Sequence, residues 1–401
     1  MDAQLRDLFM AAVGDPPRRL TPEAVRRRVI RRRRAEWVTG TAAVVLLTGL
    51  GIVVPGQLLF RSASTGGGGN SAPAGAPRYY LQTVATQPEP GQQVTLVRAT
   101  ATGAVTARVR CPWPKSYVAN NGLAPADGRT FFVACQRSHG IRHFVVTGTR
   151  IYRFQLTGSG QIPGYTLVPG GNLGAVEVNR MAATRDGAQL AATAAPDNGT
   201  HRSNIEVINT QTGARAVWHN GSGAPGTTQF GIGDLSWTRA GRELVFQARV
   251  CTPGGSQCAT KGQWRVIRHA TAGGELDNSE LLLMMSSLTG HAQGYINDSV
   301  ITPDGSALIV VALHSPRGAG TPGNIDVVKV DPATGQPIRV LFQENTGNGV
   351  SYGSFAADPS TRFLILNAGP PQGVMHNGWI DHGKLVPLKP ANGGNVVFEA
   401  W

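Results

Sequence analysis

Along most of the chain, apolar residues come in short runs broken by polar turn formers. The stretch 300–312, VITPDGSALIVVA, sets the pattern: an apolar run, a Pro-Asp-Gly turn and a second apolar run. Related stretches are MAATRDGAQLAATA at 181–194, LSWTRAGRELVFQA at 235–248, LAPADGRTFFVAC at 123–135 and FAADPSTRFLILNA at 355–368, the last with its Gly replaced. The turns centre on Asp127, Asp186, Ala240, Asp304 and Pro359, at spacings of 59, 54, 64 and 55 residues. A second signature alternates with the first. VTLVRATATGAVTARV (94–109), IEVINTQTGARAVW (205–218) and IDVVKVDPATGQPIRVLF (325–342) each carry a Thr-Gly turn between two apolar runs. Short apolar runs bounded by Gly, Pro and Asp read as antiparallel strands on tight turns.

One unit is therefore four strands, a to d, with Asp-Gly joining a to b, a variable loop joining b to c, and Thr-Gly joining c to d. Four-strand units at near-even spacing predict an all-β fold, a six-bladed β-propeller with antiparallel blades. A β-sandwich does not predict five like turns at such spacing. Blades 2 to 6 are expected near 117–168, 174–220, 228–285, 294–343 and 350–390. Blade 1 is left with three strands between Tyr79 and Val109. The chain ends GNVVFEAW (394–401), in the register of GDLSW (233–237), which places Trp401 opposite Trp237. This segment is expected to insert as strand a of blade 1 beside the central channel, because blade 1 would otherwise expose an unpaired edge.

The pattern changes before residue 78. Residues 37–60, WVTGTAAVVLLTGLGIVVPGQLLF, carry no charge, and the 18 before Pro55 would span roughly 27 Å as a helix, about one bilayer core. RRRVIRRRR (26–34) precedes them and predicts a cytoplasmic N-terminal side. A retained transmembrane helix is expected; cleavage near Ala63 is the alternative. In the cytoplasmic segment 1–36, Leu5, Leu8, Phe9, Ala12 and Val13 follow helical spacing, and Thr21-Pro22 reads as a second helix start. That segment is expected to lie on the membrane or to dock a cytosolic partner. Residues 61–77, RSASTGGGGNSAPAGAP, read as a flexible linker. The extracytoplasmic domain is then 78–401.

Composition agrees with this layout. The chain has 401 residues, with 52 Gly and 26 Pro, and only 15% charged residues. Its formal charge is +13, from 37 Lys and Arg against 24 Asp and Glu. Ten Arg and five acids fall in 1–36, so the excess there is dense. Beside a membrane span, an Arg run sets topology and touches anionic lipid rather than nucleic acid.

Candidate chemistry is sparse. Outside the cell Cys111, Cys135, Cys251 and Cys258 should pair, and four cysteines allow three pairings. Cys251 and Cys258 bracket TPGGSQ in one b–c loop, which leaves Cys111 with Cys135 near the blade 1–2 junction. A zinc site lacks any Cys-x-x-Cys. GVSYG (349–353) matches the hydrolase elbow around Ser351, but a polar loop precedes it and no helix follows. His139 and His143 are four apart, in a hairpin loop where helical spacing does not apply. TGGGG at 65–69 lacks the Lys-Ser/Thr of a phosphate cradle. Trp113, Trp218, Trp237, Trp264 and Trp379 flank strand turns, where packing between blades is expected.

The Pro-Asp-Gly turn, the apolar strand after it and the Thr-Gly turn resemble the repeats of TolB-like propellers and of related WD-like repeats, over residues 79–401. The whole layout also resembles actinobacterial single-pass membrane proteins with an Arg-rich leader and an exported propeller, some of them encoded beside extracytoplasmic sigma factors. The absence of a catalytic motif favours a module that holds a protein, peptide or glycan outside the cell, with envelope sensing as its expected setting. No cofactor and no catalytic residue is expected. The alternative is a propeller hydrolase or lyase that uses channel carboxylates.

Overall fold

The computed structural model describes residues 75–85, 93–139, 145–196, 203–221, 228–238, 241–251, 262–314, 323–345, 352–358, 360–369, 376–388 and 395–400. The expected cytoplasmic segment, the span and nearly all of the linker lie outside the described residues. Among the described residues, no helix is long and apolar enough to cross a membrane.

The described residues form six antiparallel blades. Blade 1 contributes β1 (Tyr79–Ala85), β2 (Gln93–Ala99) and β3 (Val105–Val109). Blade 2 holds β4 (Tyr117–Pro125), β5 (Thr130–His139), β6 (Val145–Gln155) and β7 (Tyr165–Gly174). Blade 3 holds β8 (Val176–Ala183), β9 (Gln189–Pro196), β10 (Asn204–Asn209) and β11 (Arg215–His219). Blade 4 holds β12 (Gln229–Thr238), β13 (Glu243–Cys251) and β14 (Gln263–Ile267). Then come a short β15 (Gly274–Glu275) and the outer strand β16 (Glu280–Met284). Blade 5 holds β17 (Tyr295–Ile301), β18 (Leu308–His314), β19 (Asn324–Val330) and β20 (Pro337–Asn345). Blade 6 holds β21 (Tyr352–Ala357), β22 (Leu364–Gly369), β23 (His376–Asp381) and β24 (Lys384–Pro387). The last strand, β25 (Asn395–Ala400), pairs antiparallel with β1 and completes blade 1 in the order β25-β1-β2-β3.

The hydrophobic pattern explains why each strand takes its place. β18 reads LIVVALH and is buried over all but its last residue. Such a run has no polar face, so it suits a strand covered on both sides by neighbouring blades. β20, on the rim of the same blade, reads PIRVLFQEN and is mostly exposed. The apolar faces meet in six clusters, one for each blade junction. Phe131, Val133 and Phe154 meet Leu81, Val97 and Val109 between blades 1 and 2. Phe132 and Ile151 meet Leu190 and Ile208 between blades 2 and 3. Like layers follow around the ring, to Tyr80 against Ile365 and Trp379 where blade 6 meets blade 1.

Trp218, Trp237, Trp264 and Trp379 are buried in these layers. The indole N–H of Trp237 donates to Ala182 O of blade 3 at 2.9 Å, and that of Trp264 to Ser299 Oγ of blade 5 at 2.9 Å. Each hydrogen bond spares a buried donor the cost of having no partner.

The inner strands close a ring: β4 lies against β8, β8 against β12, β12 against β17, β17 against β21, β21 against β25, and β25 against β4. The C-terminal strand therefore occupies the inner position expected of it; Trp401 lies outside the described residues. Two details depart from the sequence reading. Blade 2 extends to Gly174 rather than 168, since β7 carries a register shift before its end. Blade 3 gains a fifth, parallel strand, because the long c–d connection of blade 4 sends β15 back onto β11 at Trp218 and His219.

Candidate functional site

The two ends of the ring differ. At one end lie the a–b and c–d turns, closed by their own hydrogen bonds. In blade 5 the Thr302 N–H donates to Ala307 O at 2.8 Å, and the Gly305 N–H to Thr302 O at 2.8 Å. The Thr302 hydroxyl donates to Asp304 Oδ1 at 2.6 Å, and the Ser306 N–H to the same oxygen at 3.0 Å. Thr184 and Asp186 repeat these contacts in blade 3. The Thr302 hydroxyl, with the Ser306 amide and hydroxyl, holds the Asp304 carboxyl down at about 2. Asp186 is lowered in the same way, first by the Thr184 hydroxyl, and Asp331 of a c–d turn first by the Ala333 N–H. Blade 6 swaps the roles. Asp358 takes the Thr position and accepts from the Ser360 N–H at 3.0 Å and the Phe363 N–H at 2.8 Å, which leaves Thr361 at φ 55° where its counterparts have Gly.

The other end carries the d–a and b–c connections and the chemistry. Three inner strands shift register beside the channel: β8 between Val178 and Met181, β12 between Ile232 and Leu235, and β17 between Ile296 and Asp298. Such bulges re-aim side chains. Arg180 of β8 donates through Nε to Asp234 Oδ1 of β12 at 3.1 Å. The Ser299 N–H of β17 donates to Asp234 Oδ2 at 2.8 Å. One carboxylate thus ties three blades, and both of its oxygens are engaged. Asn297 and Asp298 occupy the β17 bulge and are half-buried.

Between blades 4 and 5 lies a pocket of about 130 Å³ lined by Arg249, Met285, Leu288, Gln293 and Tyr295. Tyr295 is 53% exposed, and its hydroxyl accepts from the Arg249 guanidinium at 3.2 Å. Exposed Val250 and Met284 flank it in sequence. At the loop end of blade 5, two imidazoles share one buried carboxylate: His291 Nδ1 and His314 Nε2 lie 2.9 and 3.2 Å from Asp326 Oδ2. Among the described residues, no group of three or more His, Cys, Asp or Glu could hold a metal ion.

Between blades 1 and 2, the d–a connection is pinned by the Cys111–Cys135 disulfide, with Cα atoms 5.7 Å apart. Two residues on, Trp113 lies beneath two guanidinium groups, with Arg137 Cζ 3.9 Å and Arg150 Cζ 4.4 Å from its ring centroid. The ring comes so close to β6 that a Cβ on Gly148 would lie 2.8 Å from Trp113 Cη2.

The residues singled out by sequence fare as follows. Cys251 is disulfide-bonded, and Cys258, its expected partner, lies outside the described residues. His139 is exposed at the end of β5; His143 and Ser351 lie outside the described residues. The Arg180–Asp234 pair and the His291–Asp326–His314 group were not among the candidates. A signal for the first was present. Arg180, Asp234 and Asp298 each stand four residues before the Thr of their turn, at Thr184, Thr238 and Thr302.

No family model and no curated protein matches this chain. Among solved structures, it is similar to TolB from Acinetobacter baumannii, at 14% identity and a TM-score of 0.47, over 80% of this chain and 65% of that one. A putative TolB from Agrobacterium tumefaciens follows at 12% identity and 0.41, over 81% and 90%. An oligogalacturonate lyase in complex with manganese gives 10% and 0.44, over 72% and 74%. The chain thus spans 65% of the length of the first of these structures. The likeness is one of fold, and the propeller itself rests on the strand order and the closed ring described above.

Proposed function

We propose that the protein is a non-catalytic binding module, a propeller tethered outside the cell by residues 37–60, which captures an envelope protein, peptide or glycan on its loop end. The observation that supports this most directly is the segregation of side chains between the two ends. The turn end spends its polar groups on closing its own turns, side chain to side chain and side chain to backbone. The loop end presents a pocket with an exposed tyrosine beside a half-buried arginine, and a second cation–aromatic cluster two to three blades away. Asp234, a carboxylate of an inner strand beside the channel, is paired with Arg180 and hydrogen-bonded to the next blade, which suits a rigid wall better than a general base. In this reading residues 1–36 stay in the cytoplasm, on the membrane or against a cytosolic partner, and report capture inward.

The test is site-specific photocrosslinking in whole cells. A crosslinker at Tyr295, on the loop end, is expected to trap a partner; one at Thr334, in the c–d turn of blade 5, is not. Adducts from Thr334 alone would overturn the assignment of the face. Protease added to intact cells with the wall removed should digest the propeller and leave a small membrane-bound stub. A fully protected propeller would reverse the topology.

A further inference from the structure

The propeller's charge is not shared among its blades. Residues 79–174, most of blade 1 and all of blade 2, hold nine Lys and Arg but only two acids, Glu89 and Asp127. Residues 175–401 hold 16 basic and 17 acidic side chains. Among the described residues, the ion pairs involve Arg180, Arg215, Arg268, His291, His314 and His382, all outside blades 1 and 2. The first two blades therefore project an uncompensated positive field, which raises the local concentration of anions.

At the loop end that field has a built focus. Arg110 and Lys115 are exposed in the β3–β4 connection, and Lys115 is held at φ 58°. The disulfide fixes the start of this connection against β5. Arg137 donates through Nε to Pro114 O at 2.9 Å, and its guanidinium packs on Trp113. Arg150 packs on the same ring, and its Nε is buried with no hydrogen-bond partner. A guanidinium held by an aromatic ring loses little freedom when it meets an anion, and its planar donors fit carboxylate or phosphate. Because cations occupy the Trp113 ring, it is poorly placed to stack on a base or an apolar side chain. The chain reaches β1 from the turn end at Tyr79, so this cluster faces away from where the linker joins. Of the exposed large apolar residues of these two blades, Val105 and Leu167 lie near the c–d turns and only Val145 lies near the loop end, so a protein partner is less suited to it.

We infer that the loop end of blades 1 and 2 binds an anionic glycan, a polymer with repeating carboxylate or phosphate groups, through Arg110, Lys115, Arg137 and Arg150. This rests on the binding-module reading and names its ligand class. The test uses the full-length protein in neutral detergent. Its binding is measured to polyglucuronate, to a glycerol-phosphate polymer, to neutral dextran, to poly-glutamate and to anionic phospholipid vesicles. Binding to one or both anionic glycans is expected, weakening at least tenfold from 50 to 300 mM salt, with none to dextran. The variant Arg110→Gln/Lys115→Gln, whose side chains are exposed, should weaken it at least fivefold with an unchanged melting temperature. Arg137→Gln/Arg150→Gln should weaken it at least tenfold, and Arg339→Gln/Lys384→Gln on blades 5 and 6 should not. Equal binding by all variants, or no binding to either glycan, overturns the inference. Binding to vesicles alone would assign the cluster to lipid, and to poly-glutamate alone to an acidic protein; both also overturn it. If it fails while Tyr295 still crosslinks a partner, the binding-module reading stands without it.

Discussion

The turn end and the loop end of this propeller are made by the same strands and solve different problems. At the turn end, blades 3 and 5 use the same few contacts, a Thr hydroxyl, an Asp carboxylate and a glycine. Blade 6 reaches the same closure with Asp358 and Ser360 exchanged. The loop end has no such repeat. Its features are a disulfide-pinned Trp-Arg stack in blade 2, an Arg249–Tyr295 pocket between blades 4 and 5 and a two-histidine carboxylate in blade 5. Local hydrogen bonding suffices to reverse a strand, so the turn end can be stereotyped. Recognition needs particular groups at particular places, and those can only vary where the chain is not already committed to closure.

If the stereotyped frame carries stability and the loop end carries function, the largest effect should come from breaking the ring. Deleting residues 395–400 removes five partner positions with β1 and re-exposes its inner edge. At ~1 kcal/mol for each lost ladder hydrogen bond the cost is roughly 3–5 kcal/mol, a fall of about 10 °C in Tm, with aggregation through the open edge. A truncated protein that melts like the full one would refute ring closure by the C-terminus. Next in size is the loop end's covalent pin. Cys111→Ser/Cys135→Ser opens a link across 24 residues and should cost about 3 kcal/mol, read by thermal melting. Its effect should fall mainly on stability and on the Trp113 stack. A variant that melts normally but loses anionic-glycan binding would instead place the pin in recognition alone.

Most of the frame was legible in the sequence because its causes are local. The alternation of apolar run and Asp-Gly or Thr-Gly turn marks strands wherever it occurs, and FEAW could be matched to strand a by register alone. The site was less legible because its partners are distant. Arg180 meets Asp234 across 54 residues, and His291 meets Asp326 across 35. Such pairs exist only once two blades, or a loop and a blade, are docked. A polar residue four positions before the turn Thr was visible, but nothing local says that it lies in a bulge facing its neighbour. Blade 3's extra strand was hidden for a similar reason. β15 belongs by sequence to blade 4 and by pairing to blade 3.

Smaller effects test whether the turn end is governed by backbone conformation. Gly305 has φ 73°, and a Cβ there would meet nothing within 4 Å, so Gly305→Ala isolates the conformational cost. It should destabilise by about 1 kcal/mol. Thr361 already bears that cost at φ 55°. Thr361→Gly should therefore change stability in the opposite sense, by roughly 0.5–1 kcal/mol after the entropy that glycine adds to the unfolded chain. Chemical unfolding of both variants decides it; the same sign for both would mean that side-chain contacts, not φ, set these turns.

The smallest expected effect is on pH dependence. The folded Asp304 carboxyl, at about 2, lies below its ordinary value of 3.8, chiefly through the Thr302 hydroxyl. A depressed carboxyl stabilises the fold fully above its unfolded value and loses that contribution as pH falls through the folded value. Asp304 should thus support the turn above pH 4 and contribute little near pH 2, with Asp186 and Asp331 shifted in the same direction. Asp304→Asn removes the titrating group but can keep an acceptor for the Ser306 N–H. The difference in Tm between the native protein and this variant should be greatest from pH 4.5 to 7 and shrink between pH 4 and 2. A difference that stays constant down to pH 2 would mean that the carboxylate's charge adds nothing to the turn and that its shape alone closes it. The stereotypy of the turn end would then be one of geometry, not of electrostatics.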